Sequence, residues 1–284
     1  MTTSVGNRAK VIACGNLKGG VGKSVFTIQA GHAAVARGLR VLMIDIDPQA
    51  NLTSACLPDY DENPPKHSLA DVLDRRMEVG IMDAVVPLRR DGMWLVASGG
   101  DELQAVQDAL ITKPGSERSL QRALREASEH FDLILLDTRP ATDLITRNAL
   151  MAADELVVIV IPENWAVRGM RSTLDAVDDL AEYLDKVLPL AGIVVNQFNA
   201  SRKDHQETLE QIRLMAEAEG ISVLGEVIPT MTELGKLSVV AMGLDEHPKP
   251  NARIRNFTAN FADIVDTLTN SASEDTPAQE GVNA

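Results

Sequence analysis

A glycine-rich loop between an apolar segment and a helical segment constrains this chain more than any other feature. Val11–Cys14 is continuously apolar and ends at Gly15, which is typical of a buried strand. Val25–Arg37 carries alanine and apolar residues at helical spacing and ends at Gly38. Between them lies the sequence Lys-Gly-Gly-Val-Gly-Lys-Ser, residues 18–24. The loop therefore joins the carboxyl end of a buried strand to the amino end of a helix.

This arrangement predicts a phosphate-binding loop. Glycines let backbone N–H groups converge on phosphate oxygens, and the start of the following helix adds its dipole. In such a loop Lys23 contacts the β- and γ-phosphates, and the hydroxyl of Ser24 binds Mg²⁺. The alternative is a glycine-rich turn without a ligand, but the flanking strand and helix favour phosphate. The other nucleotide-binding candidates here are Gly19, Gly20, Val21, Gly22 and Val25.

The rest of the chain alternates between predicted strands and helices. Strands are predicted at Arg40–Ile46, Trp94–Ala97, Asp132–Asp137, Glu155–Ile161, Ala191–Asn196 and Val223–Ile228. Helices are predicted at Ser68–Arg76, Glu117–Glu129, Leu144–Ala152, Arg171–Lys186, Lys203–Glu219, Thr232–Met242 and Asn251–Thr269. Because the strands are continuously apolar rather than alternating, we expect an α/β fold with a doubly wound, mostly parallel sheet and helices on both faces.

Composition and length are compatible with one such domain. Hydrophobic residues make up 45% of the 284 residues but aromatic residues only 3%, so the core must be aliphatic. We expect a single domain over residues 10–270. Residues 1–9 are predicted to be a flexible leader, and residues 271–284, which are small, polar and acidic, a disordered tail.

Charge and cysteine content restrict the partners of the chain. The net charge of −14 argues against non-specific attraction of nucleic acid to the whole surface, so any such binding needs a local basic patch. The two cysteines, Cys14 and Cys56, form neither a metal-ligand spacing nor a disulfide framework. Neither a signal sequence nor an apolar run long enough to cross a bilayer is found. We therefore expect a soluble, cytoplasmic protein.

The loop departs from the common pattern GxxxxGK[ST] in a characteristic way. Leu17 stands where that pattern has glycine, and a second lysine, Lys18, begins the loop. The sequence KGGVGKS resembles the deviant Walker A motif of the ParA/MinD family of P-loop ATPases. In that family the extra lysine reaches across a dimer interface to the partner's nucleotide. The resemblance therefore implies a catalytic role for Lys18; a solvated loop lysine is the alternative.

Two further motifs resemble the ParA branch of this family and appear in the same order. Residues 45–51, Asp-Ile-Asp-Pro-Gln-Ala-Asn, are similar to its D-x-D-P-Q-x-N signature at the end of a strand, where doubly wound folds bind ligands. The resemblance implies that Asp47 is catalytic, orienting the attacking water, that Asp47 also belongs to the metal site, and that Asp45 assists there. The alternative for Asp47 is a carboxylate that caps the next turn. Asp137 ends a strand like that of a Walker B motif and is expected to bind Mg²⁺.

The chain departs from the family at Arg139. The family usually continues from the Walker B aspartate as D-T-P-P, whereas this chain has Asp-Thr-Arg-Pro at residues 137–140. Arg139 then contacts the nucleotide, contacts a dimer partner, or is a surface variation; the sequence leaves these three open. For the base, the resemblance points to Asn196, with a turn-forming Asn as the alternative, and to the loop that begins at Pro229.

The resemblance spans residues 10–270 and implies a DNA partition ATPase that requires ATP and Mg²⁺. In the ParA branch, an ATP-bound homodimer coats non-specific DNA on the nucleoid, and a ParB-like centromere-binding adaptor stimulates slow, dimer-dependent hydrolysis. Thr230 follows Pro229 where the family often has an arginine that contacts DNA. A solvated helix charge is the commoner reading of any single basic residue. The DNA-binding candidates lie late in the chain: Arg168, Arg171, Arg202, Lys203, Lys236, Lys249, Arg253 and Arg255.

Other functions of the same fold are disfavoured in different degrees. A MinD-like ATPase on a membrane or protein surface needs a basic amphipathic tail for a membrane, and residues 271–284 contain three acidic residues and no basic one. A nitrogenase-type reductase needs cluster cysteines, and a bacterial tyrosine kinase needs a tyrosine-rich tail. An ATP-dependent amide synthase and a scaffold that binds ATP without turnover stay open. Among these, we favour the partition ATPase and expect no membrane partner.

Overall fold

The computed structural model describes residues 8–270, and a seven-stranded sheet forms its centre. In spatial order the strands are β3, β4, β2, β5, β1, β6 and β7, and every neighbouring pair is parallel except β3 with β4. The predicted doubly wound α/β fold is therefore confirmed. The strands are β1 (Lys10–Gly15), β2 (Val41–Asp45), β3 (Val85–Pro87), β4 (Met93–Val96), β5 (Leu133–Asp137), β6 (Glu155–Val160) and β7 (Leu190–Val195).

Helices cover both faces of the sheet. The helices are α1 (Lys23–Ala36), α2 (Asn51–Cys56), α3 (Leu69–Leu73), α4 (Asp101–Leu110), α5 (Ser119–His130), α6 (Leu144–Ala152), α7 (Ala166–Leu184), α8 (Lys203–Ala218), α9 (Thr232–Val239) and α10 (Ala252–Asn270). Alternate residues of β1 divide between two cores: Val11 packs with helices α3–α8, and Ile12 packs with α1, α2, α9 and α10. Burial on both faces explains why the strands are apolar at every position.

The strand order brings the two acidic motifs beside the glycine-rich loop. β5 lies between β1 and β2, and Asp137 pairs in register with Cys14 on one side and Asp45 on the other. The three strands are parallel, so their carboxyl ends meet at one edge of the sheet. Residues 16–22, which follow β1, leave the sheet at the same edge.

The structure corrects several predictions about elements and boundaries. Val223–Ile228 is not a strand: among the described residues it makes a single isolated bridge, from Val223 to Ile193, and the adjacent Pro229 makes another to Phe198. The left-handed φ of 62° at Gly225 interrupts the extended backbone. β3, α2 and α4 were not predicted from the sequence. Of the predicted leader, residues 1–7 lie outside the described residues, and Ala9 is already buried, with its N–H donating to the Ser128 carbonyl at 2.8 Å. The predicted tail, residues 271–284, lies outside the described residues as well.

Gly225 supplies a test of this packing. A Cβ at Gly225 would lie 2.4 Å from Oδ1 of Asn260 and 2.7 Å from Cγ1 of Ile264, whereas at Gly38, also left-handed, no atom lies within 4 Å. We expect Gly225→Ala to lower the free energy of unfolding by about 2–5 kcal/mol, through backbone strain and overpacking. Gly38→Ala, which adds strain alone, should lower it by about 1 kcal/mol. Urea unfolding measures both; equal losses would contradict the packing at Gly225.

Candidate nucleotide-binding site

The loop between β1 and α1 is shaped by two glycines and held by a buried asparagine. Gly20 and Gly22 have φ angles of 74° and 88°, the left-handed region that glycine adopts without steric cost. Nδ2 of Asn196 donates to the Val21 carbonyl at 2.9 Å. A Cβ at Gly22 would lie only 2.4 Å from that nitrogen, so no other residue fits there. The loop is thus preformed, with α1 beginning directly behind it at Lys23.

A cavity of about 770 Å³ opens in front of this loop. Asp47 and the segment after β5 line one part of it, and Gln197 and helix α9 line another. That volume lies in the range of small-molecule sites. The lining residues are Gly20, Val21, Gly22, Lys23, Ser24, Val25, Ile28, Asp47, Gln49, Asn51, Ser54, Ala55, Thr138, Arg139, Pro140, Gln197, Gly235, Ser238 and Val239.

Lys23 and Asp137 are both buried at the glycine-rich loop, and the charge of each acts on the pKa of the other. Burial lowers the pKa of Lys23, and the Asp137 carboxylate opposes that shift. Burial and the nearby Asp45 carboxylate raise the pKa of Asp137 to about 8, although a hydrogen bond from Ser24 and the charge of Lys23 act against it. When Asp45 and Asp137 are both ionised, two carboxylates face one ammonium group, and a cation relieves the excess of negative charge.

The residues around Asp137 fit a magnesium ion. Oδ1 of Asp137 is buried yet has no hydrogen-bond partner in the described part of the chain, and the Ser24 side chain hydrogen-bonds the same carboxyl group. Carboxylate and hydroxyl oxygens are ligands that Mg²⁺ prefers, and this ion usually takes its other ligands from water and substrate phosphates. Residues 8–270 contain no group of three acidic, histidine or cysteine side chains able to hold a metal alone. The site therefore suits a metal bound together with a phosphate.

Asp45 stabilises the neighbouring loop and does not face the cavity. Its Oδ1 accepts the N–H of Asp47 at 3.1 Å, and its Oδ2 accepts the N–H and hydroxyl of Thr53 at 2.8 and 2.7 Å. Both carboxylate oxygens of Asp45 accept hydrogen bonds from its own chain, so the contacts of Asp45 do not support the predicted role near the metal. Instead, Asp45 fixes the backbone from which Asp47 projects.

Asp47 lines the cavity and also caps its own turn. Its Oδ1 accepts the N–H of Gln49 at 3.0 Å, and its carbonyl accepts the hydroxyl of Ser98 at 2.7 Å. Asp47 therefore caps its turn, as the alternative interpretation predicted, and also lies where a catalytic carboxylate is expected. Thr53 and Ser98, which the sequence analysis missed, are linked by a 3.1 Å bond from the Ser98 N–H to the Thr53 hydroxyl and complete the support of this loop.

Lys18 points away from the cavity in its own chain. Its Nζ lies 3.3 Å from Oε2 of Glu163, its N–H donates to Oδ1 of Asn16 at 2.8 Å, and it is not among the lining residues. Asn16 is buried and donates in turn to the Ile159 carbonyl at 2.7 Å, which fixes the start of the loop. A buried Asn directly after an apolar strand is the signal that could have identified this support.

The residues expected to contact the adenine base do not all line the cavity. The side-chain amide of Asn196 donates to the Val21 carbonyl and so supports the loop. The next residue, Gln197, lines the cavity and has a left-handed φ of 54°. Pro229 bridges to Phe198 and is not among the lining residues. Gly235 and Ser238 of α9 line that side instead, and no sequence signal distinguished them from other helical residues.

The basic residues expected to bind DNA differ in their surroundings. Arg202 lies near Glu163 and pairs with Asp204, while Lys203 pairs with Glu207 at 3.3 Å. Arg168 lies over the ring of Trp165, with 5.7 Å from its Cζ to the ring centroid. The guanidinium groups of Arg253 and Arg255 donate to the carbonyls of Thr230 and Pro250. Among the described residues, no carboxylate pairs with Arg168, Arg253 or Arg255, unlike Arg202 and Lys203.

None of the helices between residues 8 and 270 combines the length and the apolar character that crossing a membrane requires.

Comparisons with known proteins show the family. A family model described as an AAA domain matches residues 9–190. The chain is 31% identical to the chromosome-partitioning ATPase Soj of Thermus thermophilus, over 84% of this chain and 90% of that protein. Together with the three motifs, these matches show that the chain belongs to the ParA/MinD family of P-loop ATPases, as its sequence predicted. Its class is that of the partition ATPases.

Solved structures share the fold over most of the chain. The cobyrinic acid a,c-diamide synthase of Mycobacterium smegmatis, with an ATP analogue and magnesium bound, is 28% identical over 82% of this chain and 91% of that one, with a TM-score of 0.71. The ATP complex of Cyanothece McdA has a TM-score of 0.80 and covers 93% of this chain and 97% of that one, at 24% identity. At that identity the second match is evidence of fold alone.

The raised pKa of Asp137 predicts how metal binding depends on pH. A carboxyl group that titrates near 8 is protonated at pH 6, and Mg²⁺ binds only the carboxylate. Magnesium-dependent ATP binding should therefore strengthen as the pH rises from about 6 to about 9, by up to about tenfold per pH unit below the pKa. Titrating Mg²⁺ against fluorescent ATP at several pH values measures this.

Asp137→Asn is the control for this titration, because it leaves the protonation of ATP itself unchanged. The variant should bind Mg²⁺–ATP weakly, with only the pH dependence of the nucleotide. An equal pH dependence in both proteins would contradict the role of Asp137.

Proposed function

We propose that this protein is an ATP-dependent DNA partition ATPase that switches between nucleotide states. The observation that carries the proposal is the cluster of buried Lys23, half-buried Ser24 and buried Asp137 at the glycine-rich loop, with Asp47 lining the cavity that Lys23 and Ser24 also line. Such a cluster supplies a cation for phosphate, oxygens for Mg²⁺ and a carboxylate for water. ATP and Mg²⁺ are the proposed cofactors.

The proposed reaction converts ATP and water to ADP and phosphate. Transfer of a phosphoryl group to water needs positioning and neutralisation of charge more than covalent help. Lys23 and the loop N–H groups hold the phosphates, and Asp47 orients the attacking water. Mg²⁺, held by Ser24 and Asp137, supplies further neutralisation when it is bound. Because Gln49 and Ser98 fix the Asp47 turn, its carboxylate is held beside the cavity before substrate binds.

Hydrolysis is proposed to require a homodimer. Lys18 pairs with Glu163 at 3.3 Å and does not line its own cavity, so its role at a nucleotide requires it to leave Glu163 and reach the site of a second subunit. When two subunits face each other, each Lys18 would complete the other's site. ATP then stabilises the dimer by the additional contacts that it makes there, and hydrolysis removes them. A single subunit lacks one cation, which accounts for slow turnover.

The proposed partners of the dimer are DNA and an adaptor protein. The ATP-bound dimer binds non-specific DNA on the nucleoid in the cytoplasm, and a ParB-like centromere-binding adaptor stimulates hydrolysis. Arg168, Arg253 and Arg255 are the better-supported DNA contacts, because Arg202 and Lys203 lie against carboxylates. At a net charge of −14, affinity for DNA should be modest and should fall steeply with salt.

One specific observation supports a second candidate. The similarity to a protein described as a cobyrinic acid a,c-diamide synthase favours an ATP-dependent amide synthase as the alternative. That activity needs no DNA and no dissociation of a dimer on hydrolysis. DNA binding that depends on the nucleotide therefore separates the two functions.

Asp47→Ala should trap the DNA-binding state. The variant keeps Lys23, Ser24 and Asp137 but loses the carboxylate proposed to orient water, so it should bind ATP and hydrolyse it at least about a hundredfold more slowly. We expect a shift of non-specific duplex DNA with ATP–Mg²⁺ but not with ADP, stronger at low salt than at moderate salt. A gel-shift assay measures this.

Lys23→Ala is the matched control, because it removes nucleotide binding and should give no shift under any condition. If Asp47→Ala binds ATP but shifts no DNA in either nucleotide, the partition function is contradicted, and the amide synthase or a surface-bound switch is favoured.

A further inference from the structure

Arg139 lies at the magnesium side of the nucleotide cavity. It follows Asp137 by two residues and lines the cavity together with Lys23, Asp47 and Pro140. Its segment touches the phosphate loop, since Cγ of Pro140 lies 3.7 Å from the position of a Cβ on Gly19. Lys23, which lines the same part of the cavity, would contact the β- and γ-phosphates of a bound nucleotide. Arg139 is therefore at the end of the cavity where ATP and ADP differ.

The guanidinium group of Arg139 is held by one of its nitrogens only. Nη1 donates to Oδ2 of Asp143 at 2.7 Å and to Oε1 of Gln104 at 3.1 Å. Nε is buried and has no hydrogen-bond partner among residues 8–270, although the side chain is 22% exposed. A guanidinium group has five N–H donors and binds anionic oxygens in pairs. Arg139 thus retains donor capacity that the protein does not satisfy.

The side chain at this position is permanently charged, because an arginine does not lose its proton in proteins. The position beside the loop, the unpartnered Nε and the partial exposure together point to an anion as the missing partner.

We propose that Arg139 binds the γ-phosphate of ATP and makes the site prefer ATP to ADP. This inference rests on the proposed function, because it requires ATP in the cavity. The γ-phosphate competes with Asp143 for the guanidinium group, whereas ADP has no group that reaches it. Arg139 is thus a specificity-determining residue that supplements Lys23.

The surroundings of Arg139 allow this change of partner at little structural cost. Asp143 is the N-cap of α6, and its Oδ1 accepts the N–H of Thr146 at 3.1 Å independently of Arg139. The cap therefore persists when the guanidinium group turns toward the phosphate. Gln104 belongs to α4, so the movement also releases a contact between α4 and the segment after β5. The γ-phosphate is in this way linked to α4 and α6.

Nucleotide affinity tests the inference without relying on hydrolysis. Fluorescent ATP and ADP are titrated with Mg²⁺ into the full-length protein and into Arg139→Ala. A charge-assisted hydrogen bond to phosphate is lost in the variant, so its ATP affinity should fall about tenfold or more while ADP affinity changes less than about twofold. Asp143→Asn keeps an N-cap but removes the competing charge, so it should bind ATP more tightly than the unmodified protein.

Arg76→Ala is the matched control, because Arg76 pairs with Asp74 on the surface and should leave both affinities unchanged. Equal losses for ATP and ADP in Arg139→Ala, or no loss for either, would overturn the inference while leaving the proposed function intact. If the unmodified protein itself binds no ATP, the proposed function fails first, and the two failures are distinguished in one experiment.

Discussion

The burial of charge at the ends of three adjacent strands is the constraint on which the rest of the structure depends. Lys23, Asp45 and Asp137 are almost completely inaccessible, and a charge out of water is costly unless it is paired or hydrogen-bonded. Asp45 is satisfied by Thr53 and by the backbone of Asp47. Asp137 is not, because one of its oxygens lacks a partner. The fold therefore contains a centre that becomes electrostatically complete only when a cation and phosphates arrive.

Asp45 and Asp137 lie on adjacent strands but have different roles: Asp45 supports a loop, and Asp137 is proposed to bind the metal. Asp45 and Asp137 face each other in register on β2 and β5, yet only Asp45 is enclosed by hydrogen bonds from its own chain. Asp45 fixes the loop that carries Asp47 and raises the pKa of Asp137. Asn196 likewise supports the phosphate loop, because its side-chain amide donates to the Val21 carbonyl. Residues that never touch a ligand thus set the geometry of those proposed to do so.

Much of the fold and the central part of the site could be predicted because both depend on local patterns. Continuously apolar segments identified the central strands, and three short motifs identified Lys23, Asp47 and Asp137. Long-range contacts were beyond this reasoning: Thr53 and Ser98 meet only after folding, and Gln197 lines the cavity because Asn196 is used elsewhere. The apolar segment 223–228 was misread as a strand because its pattern does not reveal the left-handed Gly225. Helix α4 begins directly after Gly99 and Gly100, and no helix was predicted there.

The central claim is that Lys18 completes the site of a second subunit, and mixing two inactive variants tests it most directly. Lys18→Ala keeps Asp47 but donates no lysine; Asp47→Ala donates Lys18 but cannot orient water. Each should be inactive alone, and an equimolar mixture should recover about one quarter of the unmodified activity, because half of randomly paired dimers contain one complete site. A mixture as inactive as its components, although both bind ATP and associate, would contradict the account.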